Sequence, residues 1–192
     1  MTFKSFDTEG RDRETIDSQL LGIVLHNDSL ERDRLLGQCA RDLSSFGYRL
    51  GGIVQSNVHR KGQRKCDMYL MDLLTGEEIL ISADRGNEAR GCRLDPAAFA
   101  RIIVWGERAV AEGVDLLVLN KFGKEEAIGR GLRPVIAEAL IAEIPVVIGV
   151  SERNLSSLMD FVGNTVTYLK PTSAAIITWC RQSLKSRCQQ SS

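Results

Sequence analysis

The stretch Val114–Arg133, VDLLVLNKFGKEEAIGRGLR, decides the fold. Its first part, Val114–Leu119, is a short continuous apolar run, the pattern of a parallel strand buried on both faces. The run stops at Asn120. Lys121, Lys124, Arg130 and Arg133 follow, interleaved with Gly123, Gly129 and Gly131. Open α/β sheets bind their ligands beyond the carboxyl ends of such strands. Cations and adaptable backbone therefore stand where a parallel sheet keeps its site, and the expected ligand is an anion.

Working outward, the same texture repeats. Leu20–His26 (LLGIVLH) and Pro145–Val150 (PVVIGV) are further buried strands, and Gly51–Gln55 is a shorter one. Leu30–Phe46 reads as an amphipathic helix with Leu35, Leu36, Cys39, Ala40, Leu43 and Phe46 inward. Asn27, Asp28 or Ser29 can cap it, and Gly47 ends it. Asp95–Glu112 is a helix capped by Asp95, with Pro96 at its first position. Leu132–Ala142, Leu155–Val162 and Ser173–Leu184 are further helices, and Val166–Leu169 a short edge strand. Asp67–Leu74 and Glu78–Ser82 flank Thr75-Gly76 as a hairpin. The expected fold is a three-layer α/β sandwich with a mainly parallel sheet and an inserted β-hairpin.

Length and composition agree with one domain. The chain has 192 residues, 43% hydrophobic and 26% charged, as in ordinary globular proteins. Residues 19–185 are read as a single α/β domain, residues 1–18 as a flexible extension and residues 186–192 as a flexible tail. Lys plus Arg and Asp plus Glu both number 25, so net charge is zero and any attraction for an anion is local. That balance argues against nucleic acid. No apolar run is long enough to insert in a membrane, and the polar start has no export signal, so a cytoplasmic protein is expected.

Five cysteines, Cys39, Cys66, Cys92, Cys180 and Cys188, show no CxxC spacing and make neither a zinc site nor a disulfide framework. Cys39 and Cys180 lie on apolar helix faces. Cys92, between Gly91 and Arg93, is the candidate reactive thiol, because neighbouring arginines lower a thiol pKa. Two histidines, His26 and His59, are too few for a His-based metal site. Trp105 and Trp179 are expected in the core or at an interface. No nucleophile–base motif is visible, and no catalytic residue is assigned.

The turn after the first strand tests for a nucleotide. A P-loop reads GxxxxGK[ST], its glycine-rich backbone cradling phosphate. Here the turn is HNDSLERDRL, with no glycine before Gly37 and no lysine. Asp28, Glu31 and Asp33 would repel a triphosphate.

The blocks GGIVQSNVHRKGQRKCDMYLMDLLTGEEILIS, RGNEARGCRLD and LLVLNKFGKEEAIGRGLR resemble the bacterial family DUF2478, over roughly Leu20–Val162. That family is similar in layout to nucleoside-triphosphatases of the THEP1 type, which have a P-loop, a hairpin ending in DL-TGE and a late strand ending in Asp-Glu. The hairpin end is here as Asp72-Leu73-Leu74-Thr75-Gly76-Glu77. The P-loop is missing, and the Asp-Glu position reads Asn120-Lys121. Phosphoryl transfer in P-loop enzymes needs magnesium held by a carboxylate. Asn-Lys disfavours the metal and favours an anion directly. The resemblance thus implies a degenerate P-loop NTPase-like fold. It also implies an association with genes of molybdate uptake and molybdenum cofactor.

The expected function is therefore non-catalytic binding of an oxyanion or phosphorylated ligand: molybdate, tungstate, a nucleotide or a pterin. Arg85, Arg90, Arg93, Lys121, Lys124, Arg130 and Arg133 would position it, with Asn120 as a neutral partner. The bland alternative is that Asp84, Glu88, Asp95, Glu125 and Glu126 neutralise these cations in surface pairs. Two rival functions remain. One is a nucleotide phosphohydrolase with an atypical site. The other is a scaffold that docks on a molybdenum transporter or cofactor-insertion protein through the basic tip Val58–Lys65.

Overall fold

A computed structural model of the chain describes residues 20–58, 67–81, 96–163 and 165–190. In order these form β1 (Leu21–Leu25), α1 (Ser29–Ser45), β2 (Leu50–Val58), β3 (Asp67–Asp72), β4 (Glu78–Leu80), α2 (Pro96–Ala111) and β5 (Leu116–Phe122). They continue as α3 (Lys124–Ala127), α4 (Arg133–Ile141), β6 (Val146–Val150), α5 (Glu152–Val162), β7 (Thr167–Leu169) and α6 (Ser173–Gln190).

The seven strands join one sheet in the order β4-β3-β2-β5-β6-β1-β7. From β2 to β7 every pairing is parallel, while β3 and β4 add an antiparallel margin. The inserted hairpin therefore widens the sheet. Continuous apolar runs form the central strands because helices cover both faces. On one face Leu36, Cys39, Ala40 and Leu43 of α1 pack with Ile176, Trp179 and Cys180 of α6. On the other, Ile102 and Trp105 of α2, Val135, Ile136 and Ala139 of α4 and Leu158 of α5 cover Leu117, Leu119 and Ile148. Burying a Leu or Ile side chain of this kind contributes about 2 kcal/mol. The result is the three-layer sandwich of the P-loop NTPase-like kind.

Asp28 is the N-cap of α1, and Gly47, at φ 88, follows its C-cap Phe46. Several elements extend further than the sequence suggests. β2 continues to Val58 because β3 pairs with it along Ile53–Val58. α6 runs on to Gln190 rather than stopping at Leu184, through residues such as the exposed Lys185 that favour helix. The most consequential difference is β5, which passes through Asn120 and Lys121 to Phe122 instead of ending at Leu119. Among the described residues no helix is long and apolar enough to cross a membrane.

Candidate functional site at the carboxyl edge of the sheet

β1 and β6 are neighbours, yet their helices leave to opposite faces: α1 joins the α6 layer and α5 the α4 layer. Such a switch point opens a crevice at the carboxyl edge, where α/β proteins bind ligands. Its rims touch: Asn27 donates Nδ2–H to Glu152 Oε1 at 3.3 Å. His26 is buried there, and its amide donates to Val150 O at 3.0 Å. The first amides of α1 are already taken. Asp28 Oδ1 accepts from Leu30 N at 2.8 Å and from Glu31 N at 3.4 Å. A phosphate at this helix end would have to displace that carboxylate.

Beside the crevice, β5 carries a bulge. Leu119 pairs with Ile148 and Phe122 with Val150, so Asn120 and Lys121 together oppose Gly149. Bulges re-aim side chains and are frequent next to functional sites. Gly149 has to be glycine: a Cβ there would lie 2.4 Å from Arg32 Cδ and 2.5 Å from the Asn120 carbonyl oxygen. Asn120 is only 5% exposed, and neither its Nδ2 nor its Oδ1 has a hydrogen-bond partner among the described residues.

The loop after β5 is braced from within. Glu126 is buried, with Oε2 accepting from Gly123 N at 2.8 Å and Oε1 from Leu132 N at 3.1 Å. Gly131 adopts φ 63, and a Cβ on it would stand 2.2 Å from Glu126 Oε1. From α5, Asn154 donates Nδ2–H to Phe122 O at 3.2 Å. Arg133 is committed to the same brace. Its Nη2 donates to Ser157 O at 3.3 Å, and its guanidinium lies 4.3 Å from the centre of the Phe161 ring.

The sequence-derived site residues thus separate. Lys121 is half-buried on β5, Lys124 is exposed at the start of α3, and Arg130 is exposed in the turn before α4. None of the three has a hydrogen bond or ion pair from its side chain among the described residues. Of the two neighbouring carboxylates, Glu126 faces inward to amides, and Glu125 forms no ion pair with these cations among the described residues. Arg133 points to α5. Arg85, Arg90, Cys92 and Arg93 lie outside the described residues, as does most of the basic tip between Val58 and Asp67. The segment bearing Arg85–Arg93 is flanked by Ile81, which donates to Met68 O at the carboxyl edge, and by the start of α2.

Two residues were missed at the sequence level. Arg32 and Asp33 are 5% and 3% exposed and face each other, with Asp33 Oδ1 accepting from Arg32 Nε at 3.1 Å and Nη2 at 2.7 Å. Asn57 donates to the other oxygen at 3.5 Å. The signal was available: Arg32 and Asp33 stand four and three residues before Leu36, on the inward stripe of the helix. Cys39 and Cys180 are buried, reduced thiols, and burial pushes the Cys180 thiol up to about 12. Among the described residues no three His, Cys, Asp or Glu side chains cluster in a way that suits a metal.

The fold and this edge define an α/β protein of the P-loop NTPase-like kind, with a neutral amide and cations at the strand end. The chain belongs to the family described as "Protein of unknown function (DUF2478)", whose model matches residues 21–179. It is 39% identical over 166 residues to the molybdenum import ATP-binding protein ModC 2 of Bradyrhizobium diazoefficiens. That similarity covers 86% of this chain but only 18% of the relative's length. No solved structure matches the chain significantly.

Proposed function

We propose that this protein is a non-catalytic binder of an anionic ligand, acting in molybdenum uptake or cofactor metabolism. One observation carries the reading: among the described residues, Lys121 near the end of β5 and Lys124 and Arg130 beyond it make no ion pair, since Glu126 is spent on Gly123 N and Leu132 N and Glu125 pairs with none of them. Cations left unpaired on a braced loop at a strand end keep their charge for a ligand. The similarity to a molybdenum import protein supports molybdate or tungstate as an anion to test first. Arg85, Arg90 and Arg93 belong to the same proposal as further contacts. Calorimetric titration at low salt with molybdate, tungstate and ATP tests it. Saturable heat with at least one is expected, and silence with all three rejects it. Magnesium-dependent phosphate release, abolished by Lys121→Ala, would replace the non-catalytic reading with hydrolysis.

A second reading has its own support. In the Bradyrhizobium relative, a segment like this chain is 18% of a longer ATP-binding protein. A domain of this kind can act as a scaffold on such a protein. Charge reversal at Arg60 and Arg64 should then abolish co-purification with a molybdenum transporter's ATP-binding subunit while leaving anion binding intact.

A further inference from the structure

A buried amide with both atoms unmatched is costly and rare in folded proteins. Asn120 is such a residue. It is 5% exposed, and neither Nδ2 nor Oδ1 has a partner among the described residues. It stands in the bulge opposite Gly149, and follows Leu116 and Val118 in period two towards the α1 face. The side-chain stem of Arg32 crosses Gly149 beside it.

The two Asn120 atoms ask for different things. Nδ2 needs an acceptor and Oδ1 needs a donor. A deprotonated tetrahedral oxyanion such as molybdate has acceptors only, so it satisfies Nδ2 and leaves Oδ1 facing negative charge. A planar heterocycle that presents a donor beside an acceptor satisfies both atoms at once. The N6/N7 edge of adenine pairs with Asn in this way. The lactam edge of guanine or of a pterin has the same shape. Arg32 fits the same partition. Its charge is already matched by Asp33, so it is a weak attractor for a phosphate. Its flat guanidinium, with Nη1 unbonded among the described residues, is suited to lie against an uncharged ring. The anionic part of such a ligand is left to Lys121, Lys124 and Arg130.

We infer that Asn120 and Arg32 form the ring-binding half of a bipartite site. Its ligand is a heterocycle with an amide-type edge carrying an anionic substituent, and not a bare oxyanion. This rests on reading the loop after β5 as the anion site. Both amide atoms are closed to solvent, so a ligand enters only with a side-chain rearrangement, and Arg32, whose stem lies over Gly149 and whose head is held by Asp33, is the side chain assigned to move.

The test uses the full chain and four probes in calorimetric titration: guanosine 5′-monophosphate, adenosine 5′-monophosphate, pterin-6-carboxylate and orthophosphate. At least one heterocyclic anion is expected to bind ten-fold or more tightly than orthophosphate, and which one distinguishes a purine from a pterin source. Asn120→Leu should bring that ligand down to the orthophosphate level and keep or raise the melting temperature. Asn120→Ala reads the same loss without added bulk at the bulge. If the oxyanions bind and no heterocycle binds more tightly, this inference is overturned and the anion site stands. If molybdate, tungstate and all four probes fail, both fall. Retention of the preference in Asn120→Leu also overturns it.

Discussion

The two edges of the sheet are built from similar residues and treat them in opposite ways. At the amino edge of β2, the hairpin end Asp72–Glu77 is locked to α2. Asp72 is fully buried, and its carboxylate accepts from Leu74 N at 3.1 Å, from Thr75 Oγ1 at 2.6 Å and from Arg108 Nη2. Glu77 accepts from Arg101 and, at 3.3 Å, from Trp105 Nε1. At the carboxyl edge, Asn120 has no partner among the described residues, and Lys121, Lys124 and Arg130 have none either. A motif that resembles part of a nucleotide enzyme proves to be a structural clasp. The less familiar Asn-Lys pair is where hydrogen-bonding capacity is left over. A polar group whose bonds are all made locally serves the fold, whereas unspent capacity is what a ligand could use.

The comparison can be broken by substitution at either edge. Asp72→Ala should have the largest effect, a loss of about 3 kcal/mol in urea unfolding, because it strands Arg108 and two turn donors around a buried site. A loss below about 0.5 kcal/mol would show that the clasp is ornamental. Glu126→Ala should cost about 2 kcal/mol by freeing the amides of Gly123 and Leu132. It should also weaken anion binding several-fold, since the loop loses its internal staple; unchanged affinity would separate the staple from the site.

The layer between the edges supplies a control in which burial dominates. The Cys180 thiol is held up to about 12 against an ordinary 9.0, chiefly by desolvation. The folded state therefore resists losing this proton more than the unfolded chain does. Stability is full below pH 9 and falls as pH rises from there towards 12, by about 1.4 kcal/mol at pH 10. Cys180→Ala should flatten that slope in urea titrations at pH 8 and pH 10. Smallest of all on stability is Lys121→Ala combined with Lys124→Ala and Arg130→Ala, which should shift unfolding by less than about 0.5 kcal/mol. The same triple variant should lower anion affinity at least ten-fold. A stable variant with wild-type affinity would remove the contrast between the edges.

Much of the frame was legible because its signals are contiguous. The runs LLGIVL and PVVIGV mark β1 and β6, Asp28 and Gly47 bracket α1, and Thr75-Gly76 lies between β3 and β4. The candidate site was legible only in part. Lys121, Lys124 and Arg130 were visible as charges, but whether neighbouring residues would pair with them was not. Arg133 looked equivalent to them and is instead engaged by Ser157 and Phe161 of α5. The bulge at Asn120-Lys121 left no trace in the pattern, because every residue from Leu116 to Leu119 is apolar and shows no alternation whose phase could be seen to slip.

By itself the sequence determined the class of fold, the strand that ends in an amide and a lysine, and the absence of a glycine-rich phosphate turn after β1. These are local properties, set by side-chain volume, backbone freedom and charge within a few residues. Only the tertiary structure decided which polar groups are spent. Asp33 took Arg32, Glu126 took two amides, and Asn120 was left with no partner among the described residues. Those outcomes depend on which strands become neighbours and which face each helix covers, and no window of sequence contains that information.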